Sequence, residues 1–214
     1  MRKTLFVNGG YYHIYNRGVD KRDVFLDEKD YIRFLTGMRE FNRENPIGSL
    51  YLADKLRKKG LSPSERDLVP LVTIIAYCLN PNHYHFILKQ NIERGISNFM
   101  LKAGSGYSTY FNEKYKRSGS LFQGPFKSAY IYSNELLLYS SAYVNCNSEV
   151  HGIAKAENYK WCSFPDYIGK RNGTLCAKEI VLGQYKSPDD YKRTAIETAA
   201  SIAERRQFEK SLME

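Results

Sequence analysis

Two histidines, His83 and His85, stand one residue apart in the apolar stretch YCLNPNHYHFIL, residues 77–88, and they are half of the four histidines in the chain. On a β-strand, side chains at positions i and i+2 point to the same face, so the two imidazoles would point together and Tyr84 would point away. Two neutral imidazoles held side by side supply half of a divalent-metal site. The same spacing is also typical of two partly buried, hydrogen-bonded histidines, so the pair alone leaves both interpretations open.

Basic and aromatic residues follow the histidine pair along the chain. The segment from Lys102 to Lys127 holds five Lys or Arg and one Glu, with Tyr and Phe between them. Because cationic side chains neutralise phosphates and aromatic rings stack on bases, this composition predicts a nucleic-acid-binding surface, with a solvated charged face as the alternative. The candidate DNA-binding residues are Lys102, Lys114, Lys116, Arg117 and Lys127, together with Arg17 at the end of YNRG, for which a plain surface charge is the alternative.

The composition of the whole chain narrows the class of protein. The 214 residues are 43% hydrophobic and 26% charged, which is typical of a globular protein, and the net charge of +9 favours a polyanionic partner such as nucleic acid. No apolar run approaches the roughly 20 residues of a membrane span. The four cysteines match neither a zinc-binding pattern nor a disulfide scaffold, which favours free thiols in a reducing compartment. We therefore expect a cytoplasmic protein that does not bind membranes.

Hydrophobic periodicity and turn signals predict the elements that would position these side chains. The predicted order is a strand at 11–18, a helix at 26–45, strands at 71–79 and 83–90, a helix at 91–117, a strand from about residue 126 and a helix at 133–150. Asn-Pro-Asn at 80–82 turns the central strands into a hairpin, Gly-Ser-Gly at 104–106 weakens one helix, and Ser133 is the expected N-cap of the last. This order favours an α+β fold, with helices packed on an antiparallel sheet.

Two stretches lie outside this pattern. Residues 46–70 are rich in charge and bounded by Pro and Gly, and they predict an excursion with one short helix. The apolar core pattern ends near residue 170, and Ser-Pro at 187–188 then begins an Ala-rich amphipathic helix. We therefore predict a main domain at 1–170 and a C-terminal extension at 171–214.

Four segments of the chain resemble a known family when they are taken together and in order. They are NRGVDKRDVFLDEKDYIRFL, AYCLNPNHYHFILK, YFNEKYKRSGSLFQGPFKSAYI and AYVNCN. They look like the REP-associated tyrosine transposases, which are single-tyrosine enzymes of the HUH superfamily of single-strand DNA endonucleases. The resemblance covers roughly residues 8–170. It implies a ferredoxin-like HUH endonuclease fold, a single-stranded or hairpin DNA partner, and either a monomer or a homodimer.

The resemblance also implies roles for individual residues. His83 and His85 would hold Mg²⁺ or Mn²⁺, and a tyrosine would attack the scissile phosphate to leave a 5′-phosphotyrosine and a free 3′-hydroxyl. The sequence YVNCN matches the family's nucleophile setting, which implies Tyr143 as the nucleophile and Asn147 as the third metal ligand. Tyr139, one helical turn earlier, is the runner-up. The structural alternatives are a core ring for Tyr143 and a helix C-cap for Asn147.

Three functions follow from this reading. The first is a metal-dependent DNA nickase and strand transferase. The second is a nucleic-acid-binding protein on the same fold that has lost catalysis, and the third is a metal hydrolase that uses water in place of tyrosine. The remaining histidines, His13 and His151, receive no role from the sequence.

Overall fold

The structure, a computed structural model, describes residues 5–45, 48–59 and 69–211 of the chain. The strands are β1 Tyr11–Arg17, β2 Val72–Asn80, β3 His83–Gln90 and β4 Lys127–Ile131. The helices are α1 Glu28–Glu40, α2 Leu50–Lys58, α3 Gly95–Lys114, α4 Asn134–Asn145, α5 Asn147–Val150, α6 Phe164–Tyr167, α7 Glu179–Leu182 and α8 Pro188–Ser211, with 3₁₀ turns at Val19–Lys21 and Ala156–Asn158. The predicted α+β class is confirmed. Within the described ranges, no helix combines the length and apolar character that a membrane span requires.

The four strands form one antiparallel sheet in the order β2-β3-β1-β4. β2 and β3 are joined by the two-residue turn at Pro81 and Asn82, which confirms the predicted hairpin. The turn is held in place by the backbone N–H groups of Val24 and Phe25, which donate to the Pro81 carbonyl at 2.7 and 3.0 Å. The hairpin end of the sheet is therefore fixed against the segment that follows β1.

One face of the sheet is covered by α1 and α3 and forms a closed apolar core, here called the first face. Its strand residues include Tyr12, Ile14, Tyr84, Phe86 and Leu88, all buried. The helix α1 begins at a capping box, in which the Asp27 carboxylate accepts from the Asp30 backbone N–H at 3.1 Å and the Asp30 carboxylate accepts from that of Asp27 at 3.3 Å. Such a cap contributes about 1 kcal/mol to helix stability.

The opposite face, here called the second face, is covered by α4 and the C-terminal elements. Tyr191, Ala195 and Ala199 are spaced four residues apart on α8, and all three are buried in the second apolar cluster. The prediction that the core ends near residue 170 is therefore wrong, because α8 packs against α4 as part of the core. The division into a domain at 1–170 and an extension at 171–214 stays a prediction.

Two of the predicted helices differ from the observed ones. The helix α3 runs unbroken through Gly104 and Gly106. A Cβ atom at Gly106 would lie only 3.0 Å from the Phe41 ring, so the glycine there permits a close approach to the residue that ends α1. The single helix predicted at 133–150 is instead two helices, because the backbone at Cys146 departs from helical geometry between α4 and α5.

The remaining local predictions have mixed outcomes. Ser133 is the N-cap of α4 as expected, because its hydroxyl accepts from the Leu136 backbone N–H at 3.1 Å. The short helix expected in the 46–70 excursion is α2. Residues 46–47 and 60–68 of that excursion lie outside the described residues.

Candidate active site

The hairpin end of the second face carries polar side chains in place of apolar ones. His83 and His85 point to this face while Tyr84 lies in the core of the first, as the period of a strand predicts. The register pairs His83 with Arg17 and His85 with Tyr15 on the neighbouring strand β1. Because adjacent strands align these residues in rows, the sheet itself brings the two imidazoles, a phenol ring and a guanidinium together.

A cavity of about 390 Å³ opens over these rows. The side chains in its wall that can do chemistry are His83, His85, His151, Tyr143, Arg17, Lys127 and Arg206. No carboxylate lines the cavity within the described part of the chain. With Tyr15, which also lines it, the cavity combines three imidazoles, two phenols and three cations, and no carboxylate of the described residues balances them.

Three of these side chains form a group that could hold a metal ion. His83, His85 and His151 each place a ring nitrogen so that the three atoms lie within 4.8 Å of one another. Burial, with a smaller contribution from Arg17, lowers the pKa of His83 to about 4, and burial lowers the pKa of His151 to about 3. Burial also lowers the pKa of His85 well below its ordinary value. All three imidazoles are therefore neutral at pH 7, which is the form that binds metals.

In His83 and His85, Nδ1 contacts a neighbouring side chain, and Nε2 is the nitrogen that would face a metal ion. Nδ1 of His83 lies 2.5 Å from Oδ1 of Asn82, an acceptor, so we assign the proton to Nδ1 and the lone pair to Nε2. Nδ1 of His85 lies 2.8 Å from Nε2 of His13, and when Nδ1 of His85 is the donor of this pair, its Nε2 holds the lone pair for a ligand. Metal-binding histidines in proteins are commonly oriented by such a bond through the other ring nitrogen. By residue type the donor set fits a divalent cation. Nε2 of His83 lies 2.9 Å from the Asn80 amide nitrogen, and Nε2 of His151 lies 2.9 Å from Nη1 of Arg206. A bound ion would therefore displace both contacts.

Two buried amides lie against His83. The Asn80 amide nitrogen donates to Oδ1 of Asn147 at 2.7 Å and lies 2.9 Å from Nε2 of His83. Oδ1 of Asn147 is 3.3 Å from the same His83 nitrogen. The Asn147 amide nitrogen is buried without a hydrogen-bond partner among the described residues. Asn147 thus stands next to the histidine group, with its oxygen engaged by Asn80, and its role as a ligand stays a prediction.

Tyr143 contacts the histidines directly. Its ring centroid is 5.4 Å from that of His85 and 5.7 Å from that of His13, in edge-to-face geometry in both cases. Tyr143 is half-buried and lines the cavity. Tyr139, in contrast, is 52% exposed and lines a separate groove beside α8. Of the two tyrosines considered from the sequence, it is Tyr143 that lies beside the histidines.

The C-terminal end of α4, where Tyr143 lies, is anchored by buried hydrogen bonds. The Asn145 amide nitrogen donates to the Tyr191 hydroxyl at 2.7 Å, and the Ser163 hydroxyl donates to Oδ1 of Asn145 at 2.5 Å. Each such bond contributes about 0.5–1.5 kcal/mol net and costs more than that when one partner is removed. The helix α8 therefore helps to fix the position of Tyr143.

The predicted DNA-binding residues separate into two groups. Arg17 and Lys127 line the cavity. Lys102 donates to the carbonyls of residues 43 and 44 at 2.7 and 3.0 Å, and Lys114 forms 2.7 Å ion pairs with Asp27 and Asp30. Lys116 and Arg117 lie in the turn after α3. Lys116 is exposed, and the Arg117 guanidinium lies over the Phe111 ring. Their contacts with DNA stay predictions.

Sequence reasoning missed several residues of the cavity region, among them Tyr15, His151, Arg206 and the neighbouring His13. His151 follows α5 and reaches His83 across a separation of 68 residues, with ring centroids 4.6 Å apart, and no local pattern announces that contact. Arg206 comes from α8, which lies in the C-terminal extension that the sequence predicts. His13 could have been found, because Tyr11, His13, Tyr15 and Arg17 alternate along one strand and share a face.

Comparisons with known proteins support the fold. No protein-family model and no curated protein sequence matches the chain. A solved structure of a REP-associated tyrosine transposase bound to a REP hairpin matches with a TM-score of 0.53 and 13% sequence identity, over 82% of this chain and 88% of that chain. The predicted α+β fold, an antiparallel sheet with helices packed on it and a C-terminal helix, is therefore confirmed, and it is like the fold of that structure. At this level of identity the likeness concerns the fold alone.

Proposed function

We propose that the protein is a metal-dependent single-strand DNA endonuclease and strand transferase that acts on hairpin-forming DNA through a tyrosine nucleophile. One observation carries the proposal. Three neutral imidazoles and the half-buried Tyr143 converge in one cationic cavity. A protein with this fold has been solved bound to a REP hairpin, which supports hairpin DNA as the partner.

His83, His85 and His151 would hold the divalent cation, and Asn147 stays a further candidate ligand. The cation would polarise the scissile phosphate and stabilise the charge that develops on its oxygens. Imidazole nitrogens suit later transition metals better than Mg²⁺, which prefers oxygen. Of the two predicted ions, Mg²⁺ and Mn²⁺, the donor set therefore favours Mn²⁺. Replacing His151 with Ala should weaken Mn²⁺ binding more than replacing Asn147 with Ala, which titration calorimetry would measure.

Tyr143 would supply the attacking oxygen. Its phenol oxygen forms the new bond to phosphorus, the bond from phosphorus to the 3′ oxygen breaks, and the proton lost by the phenol is matched by the one that the released 3′ oxygen gains. Because the phosphodiester energy is retained in the 5′-phosphotyrosine, a second 3′-hydroxyl can later attack it, and strand transfer needs no nucleotide cofactor. Arg17 and Lys127 would hold the phosphates of the strand near the nucleophile.

The test is a denaturing gel of the protein incubated with single-stranded hairpin DNA that is labelled at its 3′ end. A 5′-phosphotyrosine link carries the 3′ fragment, so the 3′ label should migrate with the protein when Mn²⁺ or Mg²⁺ is present and should not do so in a chelator. The same strand labelled at its 5′ end should give a short free fragment with a 3′-hydroxyl. Cleavage with neither label on the protein would instead indicate a metal hydrolase that uses water.

One observation favours the alternative of a DNA-binding protein without catalysis. Both the Asn147 oxygen and Nε2 of His151 already accept hydrogen bonds from protein donors, Asn80 and Arg206. Under this alternative, the protein binds hairpin DNA equally well with and without metal and forms no adduct. Calorimetry with Mn²⁺ alone separates the two functions, because the proposed enzyme should bind one ion per chain and the binding protein none.

A further inference from the structure

The C-terminal helix α8 places one arginine in the active-site cavity. Arg206 lines the cavity, and its Nη1 lies 2.9 Å from Nε2 of His151. No carboxylate of the described residues lies within 4.0 Å of its guanidinium. Its neighbour Arg205 pairs with Glu209 at 3.0 Å and lines the separate groove beside Tyr139. Two adjacent arginines of one helix thus have different surroundings, and only Arg206 contacts the histidine group.

The wall of the cavity carries an excess of positive charge among the described residues. Arg17, Lys127 and Arg206 contribute three positive charges to the wall of the cavity. No Asp or Glu of the described residues lines the wall. Fixed cations without a counter-charge attract a polyanion, and the forked guanidinium matches phosphate oxygens better than an ammonium does. The distribution of charge is therefore that of a phosphate-binding site.

We propose that Arg206 binds a backbone phosphate of the DNA strand that enters the cavity, and that α8 is thereby part of the nucleic-acid site. The inference rests on DNA being the partner under the proposed function. It adds a third cation to Arg17 and Lys127, contributed by a part of the chain that lies outside the resemblance at residues 8–170.

The hydrogen bond to His151 holds the guanidinium ready for this role. A neutral imidazole that accepts a hydrogen bond at Nε2 carries its proton at Nδ1, so neither ring nitrogen of His151 can bind a metal while Arg206 donates to it. When His151 binds a cation, Arg206 must release it. The donors that this frees lie in the same cavity as the metal ligands and are then available to the phosphate.

Matched substitutions on the same helix test the inference in a binding measurement. Arg206→Gln and Arg205→Gln each remove one charge at exposed positions of α8. Both are made in a Tyr143→Phe protein, so that no adduct forms, and fluorescence anisotropy follows a labelled single-stranded hairpin with Mn²⁺ present over a range of salt concentrations. We expect Arg206→Gln to weaken binding about tenfold and to reduce the salt slope by about 0.7, the value for one lost contact with a single strand. Arg205→Gln should change the affinity less than about twofold.

An equal salt slope and affinity for the two variants would overturn the inference. A second arm measures adduct formation at saturating protein with Tyr143 intact, where Arg206→Gln should react about tenfold more slowly than Arg205→Gln. A faster reaction of Arg206→Gln would show that this arginine obstructs the site, and that also contradicts the inference. If the unsubstituted protein forms no adduct, the proposed function fails, while the binding arm still decides the role of Arg206.

Discussion

Tyr84 and His85 are adjacent on β3 and face opposite sides of the sheet. On the first face, Tyr84 stacks with Phe86 at 4.6 Å between ring centroids, inside a core of apolar and aromatic side chains. On the second face, His85 contacts the rings of His13 and Tyr143 at the wall of the cavity. Two adjacent residues of one strand therefore differ in surroundings, because Tyr84 packs in the apolar core and His85 lines the candidate active site.

The difference shows how the fold supports a polar site. Buried imidazoles and amides cost free energy unless each is hydrogen-bonded, and the second face meets this need with contacts from Asn80, Asn82 and His13. The Asn147 amide nitrogen lacks a partner among the described residues even so. The closed core of the first face supplies stability that lets the second face retain such groups.

The first prediction compares substitutions on the two faces of the sheet, and it carries the largest expected effect. His83→Ala and His85→Ala should each lower adduct formation at least about a thousandfold, because a metal site contributes several kcal/mol to the transition state. Their affinity for hairpin DNA should stay within about threefold, since the proposed DNA contacts are made by basic residues and not by the histidines. Phe86→Ala on the first face is the control, and it should cost about 3–5 kcal/mol of unfolding free energy.

Denaturing gels measure the adduct, and urea denaturation measures the stability. A near-normal rate for either histidine variant with metal present would show that the assignment of the metal site is wrong. Phe86→Ala without loss of stability would show that the first face is not the tightly packed core described here.

The second prediction concerns the helix that covers the second face. Removing residues 187–214 deletes the buried side chains of Tyr191, Ala195 and Ala199. We expect the free energy of unfolding to fall by at least about 3 kcal/mol, since a buried large side chain alone contributes about 1.5–3 kcal/mol. Tyr191→Phe removes the hydroxyl that accepts from Asn145 and should cost about 1–3 kcal/mol. Unchanged urea midpoints in both proteins would mean that α8 is an appendage after all.

The third prediction uses acid. Burial lowers the pKa of His13 and of His83 to about 4, whereas an unfolded histidine titrates near 6.5. Between these values the unfolded chain binds more protons than the folded one, so the stability that is present at pH 7 declines as the pH falls from about 6.5 to about 4. We expect a loss of up to about 3 kcal/mol for each of these two histidines over this range, with a smaller total loss in His83→Gln. A loss of stability between about pH 6.5 and about pH 4 that is the same in both proteins would contradict the buried, neutral state of His83.

The smallest expected effect separates the basic residues of the two faces. Lys127 lines the cavity, whereas the Lys102 ammonium donates to two backbone carbonyls beside the first face. Lys127→Gln should therefore reduce the salt slope of single-strand binding by about 0.7, and Lys102→Gln should leave it unchanged. Anisotropy over a salt series measures both. A larger effect for Lys102→Gln would place the DNA on the α3 side of the protein.

Local sequence patterns predicted the parts of this molecule that depend on neighbours in the chain. The alternation of His83, Tyr84 and His85, the turn at 80–82 and the cap at Ser133 all follow from strand period, turn chemistry and capping. The continuity of α3 through Gly106 did not follow, because the contact with Phe41 is tertiary.

The site itself was predicted only in part, for the same reason. His83, His85 and Tyr143 lie in segments that carry the family resemblance, and the structure brings their side chains together. His151 and Arg206 enter from a turn and from the last helix, and nothing in their local sequence marks them. The position of Arg206 is set by the packing of α8 on α4, through Tyr191 and the alanines beside it, whereas His151 is held at the end of α5.

The central claim is that Tyr143 attacks DNA beside the histidine group, and mapping the trapped adduct tests it most directly. The protein is incubated with 3′-labelled hairpin DNA and Mn²⁺, digested, and analysed by mass spectrometry, with Tyr143→Phe and Tyr139→Phe alongside. Phe keeps the ring and deletes the attacking oxygen, so a loss of adduct reports chemistry and not packing. We predict the nucleotide on the peptide that contains Tyr143, no adduct in Tyr143→Phe, and a normal amount in Tyr139→Phe. A nucleotide on Tyr139 or on any other tyrosine would contradict the assignment.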